Sequence, residues 1–169
     1  AVKQNGTLWA WGGNYNGELG LNNRTEHSSP VQVGSSTDWA QVVTAGSFTA
    51  AIKTDGTLWT WGDGGNGRLG LNDTTSRSSP VQVGSLTDWS QVSAGQSHCA
   101  AVTTSGELYM WGRNNTGRLG LNDTVDRSSP TQVGSLSTWS QVSVTTVSAL
   151  LTTGGEIFTC GTNGNGQLG

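Results

Sequence analysis

The chain has 169 residues, including 26 glycines and 8 tryptophans, and only 11% of its residues are charged. A formal net charge of −3 and only two lysines, Lys3 and Lys53, argue against a nucleic-acid-binding protein, which is typically basic, so we expect no nucleic-acid partner. No apolar run approaches the roughly 18 residues that a membrane-spanning helix needs, so we expect no membrane insertion.

A unit of about 50 residues recurs along the chain. Gly56–Gly62 and Gly106–Gly112 echo Gly6–Gly12, and other landmarks keep the same step: Gly17, Gly67 and Gly117; Pro30, Pro80 and Pro130; Trp39, Trp89 and Trp139. Such a period is typical of solenoids, propellers and linear arrays. We divide this single repeat domain into a partial repeat (1–38), two complete repeats (39–88 and 89–138) and a second partial repeat (139–169).

Two adjacent predicted strands of a unit form a tight hairpin. In the complete repeat 39–88, an Ala-rich strand at Ala50–Ile52 precedes the turn Asp55-Gly56, and Leu58–Trp61 follows. Asp-Gly between two apolar runs predicts a hairpin because glycine tolerates positive φ. The second strand carries apolar side chains on both faces, which predicts a sheet packed between two neighbouring sheets.

Two more strands complete the predicted unit. Ser78–Val83 begins with a proline-containing segment, which favours an outer edge strand, and Trp89–Ser93 then leads inward. Four strands in about 50 residues is the content of a propeller blade. The sequence therefore predicts an all-β propeller of four-stranded blades with about three and a half blades present, and a core that includes Trp9, Trp11, Trp39, Trp59, Trp61, Trp89, Trp111 and Trp139.

The motifs of the unit resemble the regulator-of-chromosome-condensation repeat. The matching segments are Leu108–Gly112, Gly117–Gly120, Ser129–Val133 and Val92–His98. The resemblance implies a ring of seven four-stranded blades, which at about 50 residues a blade needs roughly 350 residues. We therefore expect this chain to be a segment of a longer polypeptide whose further repeats supply the other blades. Closure by a symmetric homo-oligomer is the alternative.

The last unit departs from the pattern. Gln141–Ser148 is one residue shorter than its counterpart and lacks the equivalents of Ala94-Gly95 and His98, so we expect its turn to be built differently, by local drift or as a specialised binding loop. Cys160 occupies the position of the repeat at which Trp11, Trp61 and Trp111 occur in the other units. We therefore expect it to be a small residue that fills the same apolar position.

Loop positions that differ between units are the candidates for partner binding, because propellers present loops on a rigid scaffold. Two variable stretches, represented by 13–16 and 23–27, supply residue types that anchor interfaces. The candidates are Asn14, Tyr15, Arg24, Arg77, Arg113, Asn114 and Arg127. Plain solvated loop is the alternative for each of them.

The sequence shows no pattern of catalytic residues. His27 and His98 lie at unlike phases of the repeat and have no recurring acidic partner. The segments 72–74 and 122–124 lack the alternating acidic ligands of a calcium loop and are better explained by Asx turns. We therefore expect no enzyme activity, cofactor or metal site.

Three functions follow as hypotheses. The first is a non-enzymatic interaction or structural module that binds a protein or a surface, with an adhesive or virion-associated role in an extracellular setting as its more specific form. The second, implied by the resemblance, is nucleotide exchange on a small GTPase, against which the acidic pI near 5.1 counts. The third is a secreted enzyme inhibitor, because a secreted bacterial protein that inhibits β-lactamase has a similar repeat architecture.

Overall fold

A computed structural model describes all residues, 1–169, and shows an all-β chain. The strands are β1 (Trp9–Gly12), β2 (His27–Gln32), β3 (Trp39–Ala45), β4 (Phe48–Lys53), β5 (Leu58–Gly62), β6 (Arg77–Gln82), β7 (Trp89–Ala94), β8 (His98–Thr103), β9 (Leu108–Gly112), β10 (Arg127–Gln132), β11 (Trp139–Val144), β12 (Val147–Thr152) and β13 (Ile157–Gly161). A single 3₁₀ turn spans Gly65–Gly67. None of the helical structure is long enough, or apolar enough, to cross a bilayer.

The strands form four antiparallel sheets in which each strand pairs with the next one along the chain. Two sheets are complete, with the orders β3-β4-β5-β6 and β7-β8-β9-β10, while β1-β2 and β11-β12-β13 form smaller sheets at the two ends. This arrangement, repeated with the same register, is that of propeller blades. The predicted fold class, with complete four-stranded blades and partial blades at the ends, is confirmed.

Each blade runs from an inner strand to an outer one. The inner strands β3, β7 and β11 contact one another in succession, while β6 and β10 lie at the outer edges of their sheets. Pro80 lies inside β6 and not at its start, at a register irregularity where Thr60 pairs with Val81 but Gly62 pairs with Arg77. A bulge on an outer strand accommodates proline because no ladder hydrogen bond is needed there.

The core consists of apolar layers between the sheets. The largest cluster joins Phe48, Ile52 and Leu58 of the second sheet to Val92 and Trp111 of the third. Every residue of β8 is buried, and its alanines permit the close approach of neighbouring sheets. Both faces of a central sheet are therefore covered, as the sequence predicts.

The predicted tryptophan core is only partly buried. Five of the eight are buried, namely Trp39, Trp61, Trp89, Trp111 and Trp139. Trp9 and Trp59 are half-buried, and each indole donates to the threonine hydroxyl two residues before it.

Trp11 differs from the prediction, because it is 50% exposed. Its counterpart Trp61 packs against the blade that precedes its own, and donates to the carbonyl of Glu18 there. Trp11 belongs to the first sheet of the chain, so no sheet covers that face.

The inner turn of the last unit is built differently, in agreement with the sequence. The starts of the two inner strands lie eight residues apart in this unit, at Trp139 and Val147, but nine residues apart in the second and third units. The short turn closes with a hydrogen bond of 2.9 Å from the Thr145 N–H to the Val147 carbonyl.

Candidate interaction site

The loops of the sheets are divided between two ends of the blades, because successive turns of an antiparallel meander alternate in direction. We define the arginine face as the loops 13–26, 46–47, 63–76, 95–97, 113–126, 145–146 and 162–169, together with Arg77 and Arg127, which begin β6 and β10. The opposite face consists of the turns 3–7, 33–38, 54–57, 83–88, 104–107, 133–138 and 153–156. All six arginines of the chain are on the arginine face, whereas both lysines are on or next to the opposite face.

Buried asparagines hold the loops of the arginine face in shape. The Asn114 side chain is fully buried, accepts from the Leu119 N–H at 2.9 Å and donates to the Asp123 carbonyl at 3.0 Å. Asn14 is equally buried and accepts from the Leu19 N–H at 2.9 Å. The structure therefore differs from the prediction for both asparagines, because their buried side chains form hydrogen bonds within the loop and are not available to a partner.

Asx turns shape the second variable stretch. The carboxylate of Asp73 accepts from the Thr75 N–H at 2.8 Å, and that of Asp123 accepts from the Val125 N–H at 2.9 Å. Asn72, just before the first of these turns, adopts a φ of 63°, a conformation that asparagine tolerates. These contacts agree with the Asx-turn interpretation of both segments.

Two of the candidate arginines are neutralised within the chain. Arg77 is paired with Asp73, four residues earlier, and Arg127 is paired with Asp123 in the same way. The Thr75 backbone hydrogen bond, followed by the Arg77 interaction, lowers the pKa of Asp73. Both guanidinium groups remain partly accessible at the rim of the face.

Three other candidates are exposed. Tyr15 is 75% exposed, and Arg24 and Arg113 are exposed without a side-chain hydrogen bond or an ion pair. The structure does not gather the candidates into one cluster but distributes them over successive loops of the same face. Exposed guanidinium and phenol groups on fixed loops can form contacts to a protein surface.

Two arginines on this face were not predicted as candidates. Arg68 and Arg118 occupy the variable position of the Gly-x-Leu-Gly motif, where Glu18 and Gln167 occur in the other units. That variation within an otherwise constant motif was the signal available in the sequence. Arg68 is paired with Asp63 at 3.1 Å, while Arg118 has no carboxylate within ion-pair distance.

The main chain at this variable position also connects neighbouring blades. The Trp61 indole donates to the Glu18 carbonyl at 2.9 Å, and the Trp111 indole donates to the Arg68 carbonyl at 3.0 Å. Cys160 takes the same place in the last sheet, with its sulfur 3.2 Å from the Arg118 carbonyl oxygen. Burial raises the pKa of the Cys160 thiol, which agrees with its interpretation as a small residue in the tryptophan slot.

A buried histidine lies beneath the face. The Ser148 hydroxyl donates to the Arg118 carbonyl at 2.8 Å, so it accepts from Nε2–H of His98, 3.1 Å away. His98 Nδ1 then has no partner. Burial, and secondarily the charge of Arg118, lowers the pKa of His98 to about 4. An imidazole sealed between sheets in its neutral form packs the interface and cannot reach a substrate.

Comparison with known proteins assigns the repeat. The family model described as Regulator of chromosome condensation (RCC1) repeat matches residues 5–52, 55–102 and 105–149, and a second model of the same description matches 39–68 and 89–118. No curated protein sequence gives a significant match.

Solved structures resemble the chain at low sequence identity. Human WBSCR16 is similar with a TM-score of 0.83 and 21% identity over 95% of this chain and 44% of that one. The structure of Kap60 bound to yeast RCC1 (Prp20) is similar with a TM-score of 0.83 and 19% identity, over 96% of this chain and 41% of that one. A structure of Prp20p from Saccharomyces cerevisiae is similar with a TM-score of 0.79 and 22% identity, over 99% of this chain and 44% of that one. Its description also concerns the binding of Prp20p to Gsp1p and histones. The chain thus spans less than half the length of these proteins.

Proposed function

Because the chain belongs to the regulator of chromosome condensation (RCC1) repeat family, we propose that it is a non-enzymatic module whose arginine face binds a protein partner. The blades supply a rigid frame, and the loops at one end supply the contacts. An adhesive or virion-surface role remains a prediction from the sequence. No residue of the face favours nucleotide exchange or enzyme inhibition over other protein binding.

One observation carries the proposal, which is the collection of all six arginines on one face. Arg24 and Arg113 are exposed there without an internal partner, and Tyr15 is exposed on the same set of loops. Arginine and tyrosine are enriched at protein interfaces, where they contribute much of the binding energy. Loops held by buried asparagines lose little conformational entropy on binding, which favours affinity.

The solved relatives support the class of partner. The yeast protein Prp20 is described as bound to Kap60, and as binding Gsp1p and histones, all of which are proteins. Those descriptions concern Prp20, and at 19% and 22% identity the likeness to this chain is one of fold. They support protein binding as the mode of action, without identifying the partner.

The proposal is tested by capture followed by quantitative binding. The chain is used to capture proteins from its source, each captured protein is identified and produced in pure form, and its affinity is measured by calorimetry. A variant with Tyr15→Ala, Arg24→Gln and Arg113→Gln is compared with an opposite-face variant that carries Leu86→Ser and Leu136→Ser, at two exposed leucines.

The arginine-face variant should bind at least tenfold more weakly, because several anchor contacts are lost together. The opposite-face variant should bind like the natural chain. The reverse pattern would overturn the proposal.

A further inference from the structure

One position of the arginine face changes charge between the second and third units, while the arginine five residues later is kept. Asp63 and Arg68 in the second unit become Arg113 and Arg118 in the third. The backbone positions are equivalent, because the N–H of Asp63 and that of Arg113 each donate to an inner-turn serine carbonyl at 2.9 Å. An internal ion pair is thereby replaced by two like charges.

Arg118 lacks a counter-charge although it is only 9% exposed. Its guanidinium contacts only neutral groups, the Thr116 hydroxyl at 3.1 Å and the Asn115 amide oxygen at 3.3 Å. The Nη1 group of Arg118 makes no hydrogen bond within the chain. It is accessible to solvent, unlike the buried nitrogen and oxygen atoms that lack a partner. Burial, followed by the charge of Arg113, lowers the pKa of Arg118.

The nearby carboxylates are already engaged. Asp126 accepts from the Asn114 N–H at 2.7 Å and from the Asn66 amide at 3.1 Å, and Asp123 is paired with Arg127. None of them lies within ion-pair distance of Arg113 or Arg118. A largely buried cation without a partner is unfavourable, and an anion supplied from outside would relieve that cost.

We propose that Arg113 and Arg118 form the anchor site for a carboxylate in an acidic, Asp/Glu-rich segment of a partner protein. The proposal deepens the function proposed above and rests on it for the origin of the anion. The incoming carboxylate takes the place that Asp63 occupies beside Arg68 in the preceding unit.

The chain itself indicates a carboxylate. In the second unit a carboxylate oxygen of Asp63 lies 3.1 Å from Nη1 of Arg68, which shows that a carboxylate can pair with the arginine at this motif position. Two arginines beside the negatively charged Asp126 leave a net charge of +1 (+2 − 1), which matches a singly charged carboxylate better than a phosphate dianion. This charge balance favours a side-chain carboxylate.

The test is an NMR titration with acetylated, amidated hexaglutamate, with hexaglutamine as the neutral control and inorganic phosphate as the competing anion. The Nε–Hε signals of the arginines report which guanidinium groups respond. Three variants are compared with the natural chain: Arg118→Gln removes the buried charge, Arg113→Asp recreates the ion pair of the second unit, and Lys3→Asp makes the same charge change on the opposite face.

Hexaglutamate should shift the Arg113 and Arg118 signals, and hexaglutamine should not. Arg118→Gln should weaken hexaglutamate binding about tenfold, which corresponds to roughly 1.4 kcal/mol. Arg113→Asp should abolish the Arg118 response and raise the melting temperature, since Arg118 then has an internal partner. Lys3→Asp should bind nearly as the natural chain does.

Unchanged binding by Arg113→Asp would overturn the assignment, and so would equal losses in Arg113→Asp and Lys3→Asp or a response to phosphate as strong as that to hexaglutamate. Arg113 is exposed, so its substitution tests the site even if Arg118→Gln impairs folding. A partner that binds the arginine face equally well with and without Arg113→Asp would refute this inference alone. A partner that binds the opposite face would refute the proposed function, whatever hexaglutamate does.

Discussion

The indole Nε1 of Trp111 donates a hydrogen bond of 3.0 Å to the carbonyl oxygen of Arg68, which lies in the preceding unit. The position of Arg68 thus serves two purposes. Its main chain joins two blades, and the identity of its side chain differs between units. The hydrogen bond ties the backbone of this loop to the neighbouring blade. The packing of the blades therefore determines the geometry of the arginine face.

Replacement of Trp61 by alanine should destabilise the stack by about 3–5 kcal/mol, as for other large aromatics in packed cores. The side chain is 1% exposed, and its indole joins two blades through the Glu18 carbonyl. Urea unfolding followed by circular dichroism measures the loss. Trp11→Ala is the matched control and should cost roughly 1 kcal/mol or less, because that side chain is half-exposed. Equal losses would contradict the assignment of Trp61 to the blade interface.

Gly70→Ala should be clearly more destabilising than Gly84→Ala. Gly70 has a φ of +70°, and a Cβ there would lie 2.8 Å from Nε1 of Trp111. Gly84 has a similar φ of +59° with nothing within 4 Å of that Cβ. We expect a loss of roughly 1 kcal/mol at Gly84 from the backbone alone, and a further 1–3 kcal/mol at Gly70 from the displaced indole. Thermal unfolding of both variants measures the difference, and similar melting temperatures would rule out the close packing.

Asn114→Ala should lower stability by roughly 2–3 kcal/mol, because the Leu119 N–H and the Asp123 carbonyl lose their partner. Thr124→Ala, at an exposed residue of the same loop, should change stability by less than about 0.5 kcal/mol. Chemical unfolding supplies the values. A variant of Asn114 that is fully stable but loses partner binding would contradict its structural role.

His98 predicts a loss of stability as the pH falls. Its pKa is lowered from 6.5 to about 4 in the folded chain, so only the unfolded chain takes up a proton between those values. The contribution of His98 is fully present above pH 6.5 and decreases as the pH falls towards 4. At pH 4.5 the loss should reach about 2–3 kcal/mol.

His98→Phe is the matched variant, because Phe48 occupies the equivalent position in the second unit. Urea unfolding at pH 7.0, 5.5 and 4.5 should show a flatter pH dependence for this variant than for the natural chain. Parallel curves would mean that His98 is not kept neutral by its surroundings.

The repeat pattern predicts most of the framework, because each unit carries the same turn signals and apolar positions. The hairpin at Asp55-Gly56 and the outer strand with Pro80 both follow from local residue chemistry. The bulge that contains Pro80 does not follow, since it depends on the pairing of two distant strands. The exposure of Trp11 likewise depends on which sheet covers it, and not on its place in the motif.

The loops were harder to predict. Asn114 and Arg113 are adjacent, yet one is fully buried and the other exposed. Asparagine recurs at the first position as Asn14 and Asn163, whereas the Arg113 position differs in every unit, and that recurrence was the signal in the sequence. The path of the loop, which returns to place Leu119 and Asp123 around the asparagine, is its physical reason. Arg118 was missed because it lies within a framework motif, where the missing counter-charge becomes visible only by comparison with the Asp63–Arg68 pair.

Hydrogen exchange of the chain, measured by mass spectrometry with and without an identified and purified partner, tests the binding face most directly. We expect slower exchange on binding in segments 13–19 and 113–118 of the arginine face, and unchanged exchange in segments 34–38, 84–88 and 134–138. Protection confined to the latter segments would place the partner on the opposite face and contradict the account.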